Sequence, residues 1–248
     1  MNSLTIIEKC QTLKWHAFAE AFEQQENNQD SEQVDFKTRL CELIDAQLLA
    51  NADKRIATLT KQAKLRYPHL FIEDLNYELY PKLKVATVKE LVSCEWIRHK
   101  HHLMIIGPTG TGKTSLACIF CNAAIRQLVP VLFYRMATLL LELIVARKEG
   151  TLVRFIRKIN RAQVLVLDDW GNALMSSEER HLLFELIESR DQSSSLIITS
   201  QYPVDTWHEA FQDSTIADSV LDRIVHNAHK IELKGESIRK LVSIDKGD

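Results

Sequence analysis

Glycine and proline are scarce in this sequence, seven and five residues of 248. Collagen-like and low-complexity chains are thereby excluded. Long apolar runs are missing as well: the longest, Leu139 to Ala146, is interrupted by Glu142. It falls far short of the roughly 18 to 20 residues that cross a bilayer. The opening residues, Met1 to Gln11, lack a basic stretch ahead of a long apolar core and carry Glu8 and Lys9. No secretion signal is expected, and the protein is expected in the cytoplasm. Cysteine is sparse and odd in number: Cys10, Cys41, Cys94, Cys118 and Cys121 are scattered through a chain too large to need covalent staples. Reduced thiols are expected. Cys118 and Cys121 fall in an apolar helical pattern without a second Cys or His pair at zinc spacing, which reads as core packing. The run His99, His101, His102 lacks an acidic or thiolate partner and reads as an exposed helix end.

What is present is a globular composition, 46% hydrophobic and 26% charged residues. That suffices for one large domain, or for a domain of about 180 residues with a small appendage. The net charge of -2 conceals an uneven distribution. Residues 1–53 carry four Lys/Arg against ten Asp/Glu, whereas the stretch from Lys54 to Arg66 holds five basic residues and no acidic one. A second basic cluster joins Arg147, Lys148, Arg154, Arg157, Lys158 and Arg161 against Glu149 alone. Arg154, Arg157, Lys158 and Arg161 recur at i, i+3, i+4 and i+7, which places them on one side of a helix with Phe155, Ile156 and Ile159 turned toward a core. Lys54, Arg55, Lys61, Lys64 and Arg66, with these four, are the candidate DNA contacts. Neither patch is interleaved with aromatics, so contact with phosphates, independent of base sequence, is expected.

Two helical patterns, Leu4 to Phe22 and Phe36 to Leu48, flank the polar stretch Glu23 to Asp35. Prolines at Tyr67-Pro68 and Tyr80-Pro81 then break the rhythm. An all-helical domain over 1–66, for DNA binding or oligomerisation, and a second domain over 67–248 are expected. In the second, short apolar runs alternate with helical stretches: His102 to Ile106, Val131 to Tyr134, Val164 to Leu167, Ser195 to Thr199 and Ile231 to Leu233. Runs apolar on both faces are what a parallel sheet covered by helices requires, an α/β layout.

Three of the seven glycines lie within six residues. Gly107-Pro108-Thr109-Gly110-Thr111-Gly112-Lys113-Thr114 fits G-x-x-x-x-G-K-[ST] between an apolar strand and a helical run. Glycines let backbone N–H groups curl around phosphate oxygens, the helix N-terminus adds its positive dipole end, Lys113 reaches the β and γ phosphates, and the Thr114 hydroxyl ligates Mg²⁺. ATP and Mg²⁺ are the expected cofactors. The apolar run Val164 to Leu167 ends in Asp168 and Asp169, carboxylates too costly at a buried strand end without a cation or hydrogen-bond donors. Asp168 reads as the Mg²⁺ aspartate and Asp169 as the group that orients or deprotonates the attacking water. Thr199, Ser200 and Gln201 end the next apolar run, as polar groups placed between the two carboxylates and the γ phosphate; a turn before Pro203 explains them equally well.

The order of phosphate loop, Leu167 to Gly171, Ile197 to Gln201, Leu221 to Ile224 and Leu233 to Arg239, with Trp207 to Glu209 after the sensor strand, resembles the IstB-like transposition helper ATPases. These are a branch of the AAA+ superfamily related to DnaC helicase loaders and DnaA-type initiators. The resemblance covers nearly the whole chain and implies a P-loop AAA+ core. It implies that Gly107 to Ser115 is Walker A, that Asp168 and Asp169 are Walker B, and that Arg223 is a finger acting in trans on a neighbouring subunit. Sensor 1 would fall at Gln201 or Ser200 and a second sensor at Arg239. Asp169 is one methylene shorter than the usual glutamate, so slow hydrolysis is expected. The function implied is a DNA-binding ATPase that self-associates on duplex DNA with ATP and prepares the target site for a partner transposase. A DnaC-like helicase loader is the alternative, and a P-loop small-molecule kinase is a third reading.

Overall fold

The computed structural model describes residues 3–28, 33–235 and 237–238; Arg239 lies outside them. The chain divides into two compact units, Met1–Thr58 and Leu59–Asp248. The first contains α1 (Ser3–Thr12), α2 (His16–Asn27) and most of α3 (Phe36–Ala63), which continues into the second unit. Where one helical pattern was expected from Leu4 to Phe22, the chain breaks at 13–15 because Lys14 takes a left-handed conformation, φ 59°. Within this unit Gln47 is buried, with its Oε1 accepting the Phe18 N–H at 3.2 Å and its Nε2 donating to Asn51 at 2.8 Å.

In the second unit, α4 (Val85–Val92) and α5 (Glu95–Arg98) precede β1 (His102–Ile106) and α6 (Lys113–Arg126). There follow β2 (Val131–Arg135), α7 (Met136–Lys148), α8 (Leu152–Ile159), β3 (Val164–Trp170), α9 (Ser177–Arg190) and β4 (Ser195–Ser200). The series closes with α10 (Trp207–Phe211), α11 (Ser214–Val225) and β5 (Ala228–Glu232). The five strands form one parallel sheet in the order β2-β3-β4-β1-β5. The expected strands are all present. β5 begins three residues earlier than its apolar run because Ala228 to Lys230 pair with His102 to Met104 along an edge that tolerates polar residues. β3 runs past Leu167 through both aspartates to Trp170.

Local chemistry sets the helix starts. Ser176 and Glu179 form a reciprocal cap on α9, and Asp213 accepts the Ile216 N–H at the head of α11. α6 is buried along nearly its whole length, including Cys118 and Cys121. Burial pushes the Cys118 thiol up to about 11, in keeping with an inert packing role. Behind the carboxyl end of β3, Trp170 stacks against Trp207 and Phe211, all fully buried, and the Trp207 indole N–H donates to the Tyr202 carbonyl. Arg190 is buried without a carboxylate partner among the described residues. Its guanidinium donates to the carbonyls of Ile159 and Ala162, joining α9 to the end of α8 and the loop before β3, and burial depresses its pKa to about 10.

His102 corrects one sequence expectation. It is the first residue of β1 and buried, not part of an exposed helix end. The Leu196 N–H donates to its Nδ1 at 3.1 Å, so the proton sits on Nε2, which donates to the Arg223 carbonyl at 3.1 Å. The bond accepted at Nδ1 requires the neutral ring, and burial lowers its pKa, opposed by the Arg223 carbonyl. The stability it contributes is therefore complete above the ordinary imidazole value of about 6.5 and is lost as pH falls toward the depressed folded value. His102→Gln is expected to cost about 1–3 kcal/mol at neutral pH. Thermal unfolding followed by circular dichroism should also show a flatter pH dependence for the variant below about pH 6.5; an unchanged slope would remove His102 from the acid response.

Candidate nucleotide site

At the carboxyl edge of the sheet, the turn between β1 and α6 wraps a cleft of about 380 Å³. Gly110 and Gly112 take φ 86° and 83°, a region that side chains with a Cβ rarely adopt. A Cβ on Gly110 would also collide with the Ser237 hydroxyl, and one on Gly112 with the Tyr80 hydroxyl. Gly112 caps α6, so the first turn of that helix directs its free N–H groups at the cleft. Lys113 Nζ folds back over the turn, donating to the Gly107 carbonyl at 2.7 Å and the Pro108 carbonyl at 2.8 Å. The loop is thus closed by the same ammonium that a phosphate would attract.

Beneath it, Asp168 is fully buried. Its Oδ1 accepts the Thr114 hydroxyl at 2.8 Å and the Thr199 hydroxyl at 2.6 Å, while its Oδ2 has no hydrogen-bond partner among the described residues. Burial raises its pKa, opposed by the two hydroxyls. A buried carboxylate oxygen left unsatisfied beside a threonine hydroxyl suits a hard divalent cation, so the donor set fits Mg²⁺.

Asp169 is turned elsewhere. The β3–β4 register shifts between Leu167 and Trp170, and Asp169 has φ 63°. This irregularity aims the two neighbouring carboxylates apart. Thr199 Oγ accepts the Asp169 N–H at 3.1 Å, and the Asp169 carboxylate meets Arg135, at the end of β2, at 2.8 Å. The chain Thr114, Asp168, Thr199, Asp169, Arg135 therefore links the head of α6 to the carboxyl ends of β2, β3 and β4.

The other expected residues divide. Gln201 reaches the phosphate loop, where its side chain accepts from the Thr109 hydroxyl. Ser200 does not: it is fully buried and donates to the Trp170 carbonyl at 2.9 Å. Thr199, one residue earlier, is the strand-end group on Asp168. Ser115 lines the cleft, whereas Arg223 does not. The Arg223 guanidinium stands over the Phe184 ring, donates to the Ser219 carbonyl at 2.7 Å and lies 3.5 Å from Glu188. Arg154, Arg157 and Lys158 are exposed along α8 and, with Arg161, line a groove, while Ile159 is buried. Lys54, Arg55, Lys61 and Lys64 are exposed. Arg66, expected on DNA, is exposed as well and also lines the nucleotide cleft with Lys113. Arg135 escaped sequence reading, and Arg66 was not read as a cleft residue, because each lies far along the chain from the loop; the β2–β3 pairing brings Arg135 there and the end of α3 brings Arg66.

A family model described as IstB-like ATP binding protein matches residues 8–245. The chain belongs to this family. An insertion sequence ATP-binding protein of Sinorhizobium fredii, y4pL, is 38% identical over 94% of this chain and 95% of its own length. An ATP-binding protein of the Pseudomonas fluorescens insertion sequence IS1162 is 39% identical over 78% of this chain and 84% of its own. Among solved structures, DnaI superposes with a TM-score of 0.57 at 19% identity, covering 67% of this chain and 92% of that one. AMPPCP-bound DnaA from Aquifex aeolicus gives 0.57 at 17% identity, covering 74% and 55%. The fold is the P-loop AAA+ core with a helical N-terminal region, and this family member is an ATP-binding protein associated with insertion sequences. Among its described residues no helix is long and apolar enough to cross a membrane.

The buried Asp168 carboxylate has a testable cost. A group whose pKa is raised on folding favours the folded state at low pH and disfavours it as pH rises through that value. Asp168→Asn is expected to raise the unfolding midpoint of the nucleotide-free protein at neutral pH, with a smaller gain in acid, and to lose the stabilisation by Mg²⁺ with ATP that is expected of wild type. Calorimetry with and without Mg²⁺-ATP checks both; a lower midpoint at neutral pH would contradict the assignment.

Proposed function

We propose that this chain is an ATP hydrolase that assembles on duplex DNA and prepares the target site for a partner transposase of the same insertion sequence. The observation that carries the reading is the convergence of the phosphate loop, Thr114 and Asp169 on one cleft, with Asp168 bonded to Thr114 beneath it, in a chain whose relatives over nearly its whole length are insertion sequence ATP-binding proteins. The loop amides bind the phosphates, and Lys113 exchanges two backbone carbonyls for β and γ oxygens. Thr114 and Asp168 would hold Mg²⁺, which would supply Lewis-acid neutralisation of phosphate charge. Asp169 orients the attacking water or takes its proton, in a direction set by Arg135. Gln201 senses the loop through Thr109. Arg223 acts on a neighbouring subunit of the ATP-dependent oligomer, which requires it to leave Glu188.

DNA phosphates are held by the helical domain, 1–66, through Lys54, Arg55, Lys61 and Lys64, and by the basic face of α8. A loader for a replicative helicase is the alternative partner assignment; the insertion-sequence relatives favour the transposase.

ATP turnover should rise with duplex DNA and yield no phosphorylated small product. Asp169→Asn should keep ATP affinity and lose about 10²-fold or more in turnover; wild-type turnover would remove Asp169 from its role. Coprecipitation with transposase, against replicative helicase, decides between the two partners.

For DNA, Lys54→Ala/Arg55→Ala and Arg154→Ala/Arg157→Ala should each weaken binding and reduce the salt slope of log K by about 0.9 for each phosphate no longer neutralised. Titration at several salt concentrations measures this. A patch whose double substitution changes neither quantity does not bind DNA.

A further inference from the structure

Arg66 stands where its own sequence context did not place it. It follows the end of α3 by three residues: the helix stops at Ala63, Lys64 turns left-handed at φ 54°, Leu65 is buried, and Arg66 emerges into the nucleotide cleft. Three cations of one chain, Arg66, Lys113 and Arg135, therefore border a single cleft. Arg135 has a carboxylate partner in Asp169 and Lys113 has carbonyls of the loop. For Arg66 no carboxylate lies within ion-pair distance among the described residues; its guanidinium rests 5.5 Å from the Tyr67 ring centroid. Gathering like charges is unfavourable unless an anion joins them, and a planar guanidinium matches phosphate oxygens two at a time.

We propose that Arg66 is a ligand of the bound nucleotide's polyphosphate, supplied in cis from the end of α3, and not a DNA contact. The inference rests on ATP binding at the loop. Holding Arg66 also orders residues 64–68, which follow the end of α3.

The test compares wild type, Arg66→Ala, Arg66→Lys and Lys113→Ala as full chains, each titrated with N-methylanthraniloyl ATP, ADP and AMP, and separately with labelled duplex DNA in the absence of nucleotide. Removing a charge-assisted phosphate bond should weaken ATP binding by Arg66→Ala about 10-fold or more. ADP should be weakened less and AMP little, with Arg66→Lys restoring only part because it lacks the planar fork. DNA affinity and its salt slope should not change. Hydrogen exchange should slow across residues 64–68 when ATP binds wild type, and not in Arg66→Ala. An unchanged ATP affinity in Arg66→Ala, with Lys113→Ala impaired, overturns this inference alone. Unchanged ATP affinity in Lys113→Ala overturns the nucleotide reading itself. A fall of about 0.9 in the DNA salt slope of Arg66→Ala, with ATP binding intact, returns Arg66 to the DNA surface.

Discussion

The constraint on which the site depends is a carboxylate that cannot be hydrated. Asp168 is fully buried at the carboxyl edge of a parallel sheet, and two threonine hydroxyls, one from the first turn of α6 and one from the end of β4, converge on a single oxygen of it. An isolated charge in that position would cost several kcal/mol or be neutralised by a proton. The hydroxyls oppose that, and among the described residues the other oxygen has no partner, a donor that a cation would suit. Because the donors come from different segments, the same interaction that tames the charge fixes the phosphate loop against β3 and β4.

The second carboxylate is managed by the opposite means. Asp169 follows directly in sequence, yet the shift in β3–β4 register and its left-handed backbone point it toward Arg135 at the cleft. Consecutive residues of a regular strand face opposite sides of the sheet, and here the strand is irregular. One carboxylate is desolvated beneath two hydroxyls, and its neighbour is partly exposed and paired with an arginine at the cleft. The difference in environment arises without any difference in residue type.

Farther away the same economy appears in neutral and cationic groups. His102 is kept in one tautomer by a backbone donor from β4 and a backbone acceptor from α11, and Arg190 is buried against carbonyls, with no acid paired to it among the described residues. Both tie the helices that follow β3 and β4 to the sheet. Arg223 belongs to that framework in the single chain, bonded at its carbonyl to His102 and at its guanidinium to α9's Glu188, so a role across a subunit boundary requires rearrangement at the guanidinium and none at the backbone.

The sequence by itself determined the parallel α/β core, the phosphate loop and the two aspartates. Each is written in contiguous residues: apolar runs at strand length, glycines at fixed spacing before a Lys-Thr pair, carboxylates where an apolar run ends. The basic face of α8 was legible for the same reason, since its residues obey one helical period. Only the tertiary structure decided which group closes the site. Thr199, and not Ser200, meets Asp168, because Leu167 pairs with Ile198 and the following residues are brought abreast at the strand ends. Arg135 reaches Asp169 by the β2–β3 pairing, and Arg66 reaches the cleft because a left-handed residue ends α3. Register and helix termination are properties of packed partners. A one-residue change in either would send a different side chain to the same place, and no local pattern records which one arrives.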